Sequence, residues 1–259
     1  MPYRRLPNTD LARIRALRSA QDMGEIVNSV ELGFSFNLLR KLQDFLPYFE
    51  LAIKNHHQAM AEQSLKSKEY NERQRRVRLY VSHFIQVLNF AIAREELKPE
   101  VREFYGLDID SQKIPSLVKD LKVIEWGEKL VDGERERLSE GGNPIYSPSI
   151  ALVRVNCDKF KDAYNHQKIL QSNTQRFSEQ VAHRRHEADQ LILDIWNDVE
   201  SHFKDIPEEK RREICCRYGL VYVWRKTELD KLKELESVQD STLDLPFSSF
   251  EEPIHQDQD

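Results

Sequence analysis

The residues from Tyr48 to Lys98 read YFELAIKNHHQAMAEQSLKSKEYNERQRRVRLYVSHFIQVLNFAIAREELK and contain neither glycine nor proline. Good helix formers dominate the run, so it reads as helical. Phe49, Ala52, Ile53, Val77, Val81, Phe84, Ile85 and Leu88 recur at helical spacing and fall on one face. Periodicity alone fits either one very long helix or a tight helical hairpin. Serine competes for backbone hydrogen bonds and compact bundles rarely use helices of this length, so the expectation is a hairpin turning near Ser64 to Ser67.

The chain carries a partial second copy of this stretch. Shifted by 111 positions, Phe49 to Ile92 falls without a gap on Phe160 to Phe203, and the coincidences sit at core positions. Val77 meets Ala188, Val81 meets Ile192, Phe84 meets Ile195, Ile85 meets Trp196 and Leu88 meets Val199. Two residues of slippage later, Tyr105-Gly106-Leu107 meets Tyr218-Gly219-Leu220. A unit that cannot bury its apolar stripe alone can bury it against a second copy, so the expectation is one joint core. The second hairpin would turn near Ser172 to Ser178, and Phe49, Phe84, Phe90, Phe160, Trp196 and Phe203 would line the core.

The fold class expected is all-α, a pseudo-symmetric helical bundle built from two related helical hairpins with peripheral helices. Eight glycines and ten prolines against 32% charged residues support it. The segments read as an N-terminal helical arm (1–33), a first helical repeat (34–110) and a connecting helix and loop (111–146). A second repeat (147–224) and a C-terminal helix end with an acidic disordered tail (225–259) complete the chain. Thr9 and Asp10 offer a cap to a first helix that Gly24 would stop, with Leu11, Ile14 and Leu17 inward. A helix from Phe34 would kink at Pro47. One from Ser116 to Glu140 would bury Leu117, Leu121, Ile124 and Leu130, and Ser147 with Pro148 would open the second repeat. Pro207 begins a short helix ending before Gly219. Val221 to Trp224 has strand propensity, with Leu107 to Ile109 as the available partner.

The formal charge of −5 is local, because Ser237 to Asp259 holds Asp240, Asp244, Glu251, Glu252, Asp257 and Asp259 without a Lys or Arg. Removing those six charges leaves +1, which gives no global electrostatic case for nucleic acid or an anionic membrane. Three cysteines, Cys157 and the adjacent Cys215-Cys216, do not form a disulfide framework. The N-terminus lacks a signal-length apolar run and no run of 18 apolar residues occurs, so a cytoplasmic chain without a membrane span is expected.

The opening MPYRRLPNTD, then Leu79 to Asn89, Glu125-Trp-Gly, Asp132 to Arg137, Leu170 to Arg176 and Leu191 to Asn197, resemble a family of uncharacterised bacterial all-helical proteins with an internal duplication. The resemblance spans Met1 to Trp224. It implies a bacterial cytosolic protein and transfers no activity or site residue.

No catalytic residue, metal site or cofactor is expected. His56-His57 face about 100° apart on a helix, His183 and His186 lack a carboxylate partner pattern, and Cys215-Cys216 are too close in sequence for ordinary zinc ligation. Two basic groupings stand out: Arg13, Arg15 and Arg18 on the first helix, and Arg75, Arg76 and Arg78 beside Arg73. Arg73 and Arg184 occupy equivalent inward positions, and with His56 and Thr174 they would form a polar layer able to contact a ligand. Three functions follow: a protein-interaction scaffold, with self-association possible; a nucleic-acid-associated protein using the arginines; and small-ligand binding in the polar layer.

Overall fold

The computed structural model describes residues 2–28 and 30–225, and the acidic tail expected beyond Arg225 lies outside the described residues. The described chain is all-α apart from one small ribbon. Its helices are α1 (Asp10–Ile26), α2 (Phe36–Ala93), α3 (Asp120–Ser139), α4 (Ile150–His202) and α5 (Glu208–Arg217), with a 3-10 helix at Pro99–Tyr105. Two-residue strands β1 (Tyr3–Arg4) and β2 (Tyr222–Val223) pair antiparallel. Among the described residues no helix is long and apolar enough to cross a membrane.

Neither hairpin forms. Helix α2 runs unbroken for 58 residues through Ser64 and Ser67, with Pro47 inside it, and α4 runs for 53 through Ser172 and Ser178. A serine in a helix interior costs only about 0.5 kcal/mol. Ser67 also satisfies its hydroxyl inside the helix, donating from Oγ to the Gln63 carbonyl at 2.9 Å. So small a penalty cannot reverse a chain whose apolar phase continues on both sides.

The single joint core is corrected with the hairpins. A 58-residue helix is about 85 Å long, several times the width of one small core. The chain divides into two compact units, residues 1–48 with 185–259, and residues 49–184. Trp196 is buried in the first unit and Phe84 in the second.

In the first unit, Thr9 caps α1, its Oγ1 accepting from the Ala12 N–H at 3.2 Å. Ile14, Ala16, Leu17 and Ala20 are buried, while Leu11 is 69% exposed. Gly24 does not stop the helix. It admits Leu39, whose Cδ1 would lie 2.4 Å from an added Cβ. The β2 partner is β1, not Leu107 to Ile109, with Tyr3 opposite Val223 and Arg4 opposite Tyr222. Tyr218 is buried, its hydroxyl accepting the Gly33 N–H at 3.3 Å, and Gly219 takes the left-handed conformation (φ 87°) that closes the end of α5.

In the second unit, Val77, Val81, Phe84, Ile85 and Leu88 of α2 cluster with Tyr105, Leu107, Val123 and Leu130, and with Val153, Cys157 and Phe160 of α4. The helix expected from Ser116 begins at Asp120, and its buried stripe is Val123, Gly127, Leu130 and Gly133, leaving Leu121 exposed. Gly133 is required by contact, since an added Cβ would sit 2.2 Å from the Phe104 carbonyl oxygen. Phe90, expected in the core, is 62% exposed. Ser147 is not the cap of α4: the Ser147-Pro148 peptide is cis, and the helix starts at Ile150 behind the Ser149 carbonyl.

Helices α2 and α4 run antiparallel here. Arg73 Nη1 donates to the Lys159 carbonyl at 3.1 Å, Gln167 Nε2 donates to Ser67 Oγ at 3.3 Å, and the Tyr70 and Phe160 rings lie 5.7 Å apart. Residue numbers therefore fall along one helix as they rise along the other.

Burial pushes the Cys157 thiol up to about 12. The unfolded thiol ionises first as pH rises, so the folded unit keeps a proton that the unfolded chain has lost. This contribution is complete below the ordinary thiol value and is lost upward toward pH 12, at about 1.4 kcal/mol per pH unit. Urea midpoints measured between about pH 8.5 and 10, where tyrosine ionisation contributes alike to both proteins, should fall more steeply in the wild type than in Cys157→Ala. Parallel slopes would refute the assignment.

Candidate functional site

The four residues expected to share a polar layer are not brought together. Arg73 faces Lys159, and Arg184 lies 25 positions further along α4, about 37 Å by helical rise. His56 is 17 positions from Arg73 on α2, about 25 Å away. The shared layer assumed hairpins, and long antiparallel helices distribute its members along the seam. Thr174 Oγ1 is buried without a hydrogen bond, as is Oε1 of Gln167, a residue only 8% exposed. These two positions make the seam polar where the ends are apolar.

Part of the expected basic surface is spent on the protein itself. Arg13, one of the basic grouping on α1, is half-buried and donates to both Asp189 carboxylate oxygens at 2.7 and 3.0 Å. Arg78 donates to the Val118 carbonyl at 2.6 Å and to Asp120 at 3.2 Å. Arg73 holds Glu69 at 2.5 Å as well as the Lys159 carbonyl. Together Lys66 and Arg73 hold the Glu69 carboxyl below its ordinary value. Arg15 and Arg18 are exposed on α1.

Arg75 and Arg76 behave differently. Both are exposed, and among the described residues neither side chain makes a hydrogen bond or ion pair. They line a groove of about 690 Å³ in the second unit, where α4 adds Asn156 and the Lys159 ammonium, also without a partner. Leu79, Tyr80 and the carboxylates of Glu69 and Glu72 complete its wall. A reading along the sequence pairs Arg75 with its neighbours on α2. It has no means of finding Lys159, which depends on the register of two helices more than 80 residues apart.

The other polar constellation missing from the sequence reading is closed. Glu134 is fully buried and Arg137 nearly so. Glu134 Oε2 accepts from the Tyr105 hydroxyl and from Arg137 Nε at 2.8 Å, and its Oε1 accepts from Arg137 Nη2 at 2.8 Å and the Ile145 N–H at 3.2 Å. Arg137 also reaches the Asn143 carbonyl at 2.6 Å. Burial and Glu134 together raise the Tyr105 phenol above its ordinary value. With its donors and acceptors matched, this knot holds the loop after α3 and leaves nothing facing a substrate.

The histidines do not converge with other ligands. His56 and His57 sit with rings 6.1 Å apart, and no group of three metal-binding side chains occurs among the described residues. Cys215 is buried and Cys216 exposed, so the adjacent thiols point to different environments. Comparison of the chain with models of protein families, with curated proteins and with solved structures finds no match.

Proposed function

We propose that the chain is a non-enzymatic scaffold that presents long helix surfaces to a partner protein, in a cytoplasmic setting. The observation that carries this reading is the antiparallel pairing of α2 and α4, which buries one seam and leaves Leu51, Met60, Leu65 and Ile169 exposed along their length in the second unit. Paired helices of this kind offer continuous faces for helix-in-groove recognition. The nucleic-acid reading keeps less support, because Arg13, Arg73 and Arg78 already donate to acceptors of the protein. Affinity purification from the native cell, with and without nuclease, tests the choice. A protein partner that persists after nuclease supports the scaffold; loss of all co-purifying material overturns it.

The same reading includes descent of the two halves from one helical ancestor, with the repeat restated as a leading helix, a long helix, a short helix and Tyr-Gly-Leu. Local geometry supports it. Asp10, first in α1, accepts two bonds at 2.7 Å from Arg185, and Asp120, first in α3, accepts one at 2.5 Å from Gln74, the position 111 residues earlier. Leu107 N–H donates to the Arg102 carbonyl as Leu220 N–H does to that of Cys215, each beside a left-handed glycine. Gln74→Arg would copy the Arg185 pairing onto Asp120. It should leave stability unchanged or raise it by about 0.5 kcal/mol, and a loss above about 1 kcal/mol in denaturant unfolding would count against common descent.

A further inference from the structure

Resting on the scaffold reading, we propose that the Arg75–Arg76–Lys159 groove of the second unit is the docking site, and that it takes an acidic peptide segment of a partner protein anchored by an aliphatic side chain. Three cations converge there with no acceptor among the described residues, while Arg73 and Arg78 on the same helix already hold acceptors of the protein. Guanidinium groups bind carboxylates through two parallel hydrogen bonds, which suits Arg75 and Arg76 to Asp or Glu side chains. Leu79, 63% exposed on the same wall, supplies an apolar contact that a purely electrostatic site does not need.

The carboxylates decide between anionic partners. Glu69 is neutralised by Lys66 and Arg73, but Glu72 lines the groove with no partner among the described residues. A phosphodiester chain places a charge at every residue and would meet Glu72 with repulsion. A peptide spaces its carboxylates and can offer Glu72 an N–H or hydroxyl. The fold does not need these cations either. The positions 111 residues away from Arg75, Arg76 and Lys159 are His186, Glu187 and Tyr48, none of them Lys or Arg.

The test is fluorescence anisotropy on the full chain at about 0.15 M salt, with a labelled Glu-rich peptide bearing leucines at i and i+4. A labelled single-stranded oligonucleotide is the competing probe. Saturable peptide binding is expected, weakened at least about tenfold by Arg75→Glu with Arg76→Glu and by Leu79→Asp. Arg15→Glu, an exposed arginine of the first unit, should leave it unchanged, and circular dichroism should confirm that each variant keeps its helix content. Absence of saturable binding, an equal loss in Arg15→Glu, or tighter oligonucleotide binding through Arg75 and Arg76 would each overturn the proposal. A nuclease-resistant protein partner still retained by the Arg75→Glu, Arg76→Glu variant would reject the groove and leave the scaffold reading standing.

Discussion

Glu134→Ala is expected to destabilise the second unit by about 3–5 kcal/mol. The carboxylate is fully buried and gathers four donors from three places: the Tyr105 hydroxyl, two guanidinium nitrogens of Arg137, and the Ile145 N–H. Its removal leaves a guanidinium with about 4% side-chain exposure beside a cavity and without its counter-charge. Hydrogen exchange read by mass spectrometry on peptides covering 99–107 and 130–150 should accelerate accordingly, and a change below about 1 kcal/mol would refute the network's importance. Replacing both charges, as Glu134→Met with Arg137→Met, should recover a large part of the loss. An apolar pair of similar volume avoids the desolvation that the ion pair must offset. Recovery should stay incomplete by about 1–3 kcal/mol, because the Tyr105 hydroxyl would remain buried without its acceptor.

That network also marks a boundary of what the sequence discloses. A Glu and an Arg three positions apart on a polar helix read as a surface pair, and only the approach of Tyr105 and the loop through Asn143 and Ile145 makes them interior. Local signals fared better. Thr9 as a cap and the end of α5 before Gly219 each follow from the chemistry of one or two residues. Helix content was legible for the same reason, since periodicity is a property of the segment alone.

Chain reversal was not, because serine weakens a helix by too little to mark a turn when apolar phase continues past it. From that one misreading came the joint core and the polar layer of Arg73, Arg184, His56 and Thr174. The side of a helix that faces the interior was legible at the centre of each stripe and lost at its ends, as Leu11 and Leu121 show. The groove was half legible: Arg75 and Arg76 were visible as charges, whereas their lack of partners among the described residues and the arrival of Lys159 depend on tertiary register.

Phe84→Ala should cost about 3–5 kcal/mol, and Phe90→Ala less than about 0.5 kcal/mol, because six positions on one helix turn the second ring about 120° away from the first. Phe84 is fully buried, and its ring meets Tyr105 at 5.8 Å and 69°, an edge-to-face contact adding to the transfer term. Truncation also leaves a cavity in a cluster that α2 shares with α3, α4 and the Tyr105-Gly106-Leu107 end of the 3-10 helix, which cannot collapse without moving those elements. Phe90 loses only partial burial on a face that already meets solvent. Denaturant unfolding combined with exchange across 77–107 separates the cases. Equal losses would mean that α2 is rotated from the phase described, and the assignment of Arg75 and Arg76 to an open groove on that helix would fall with it.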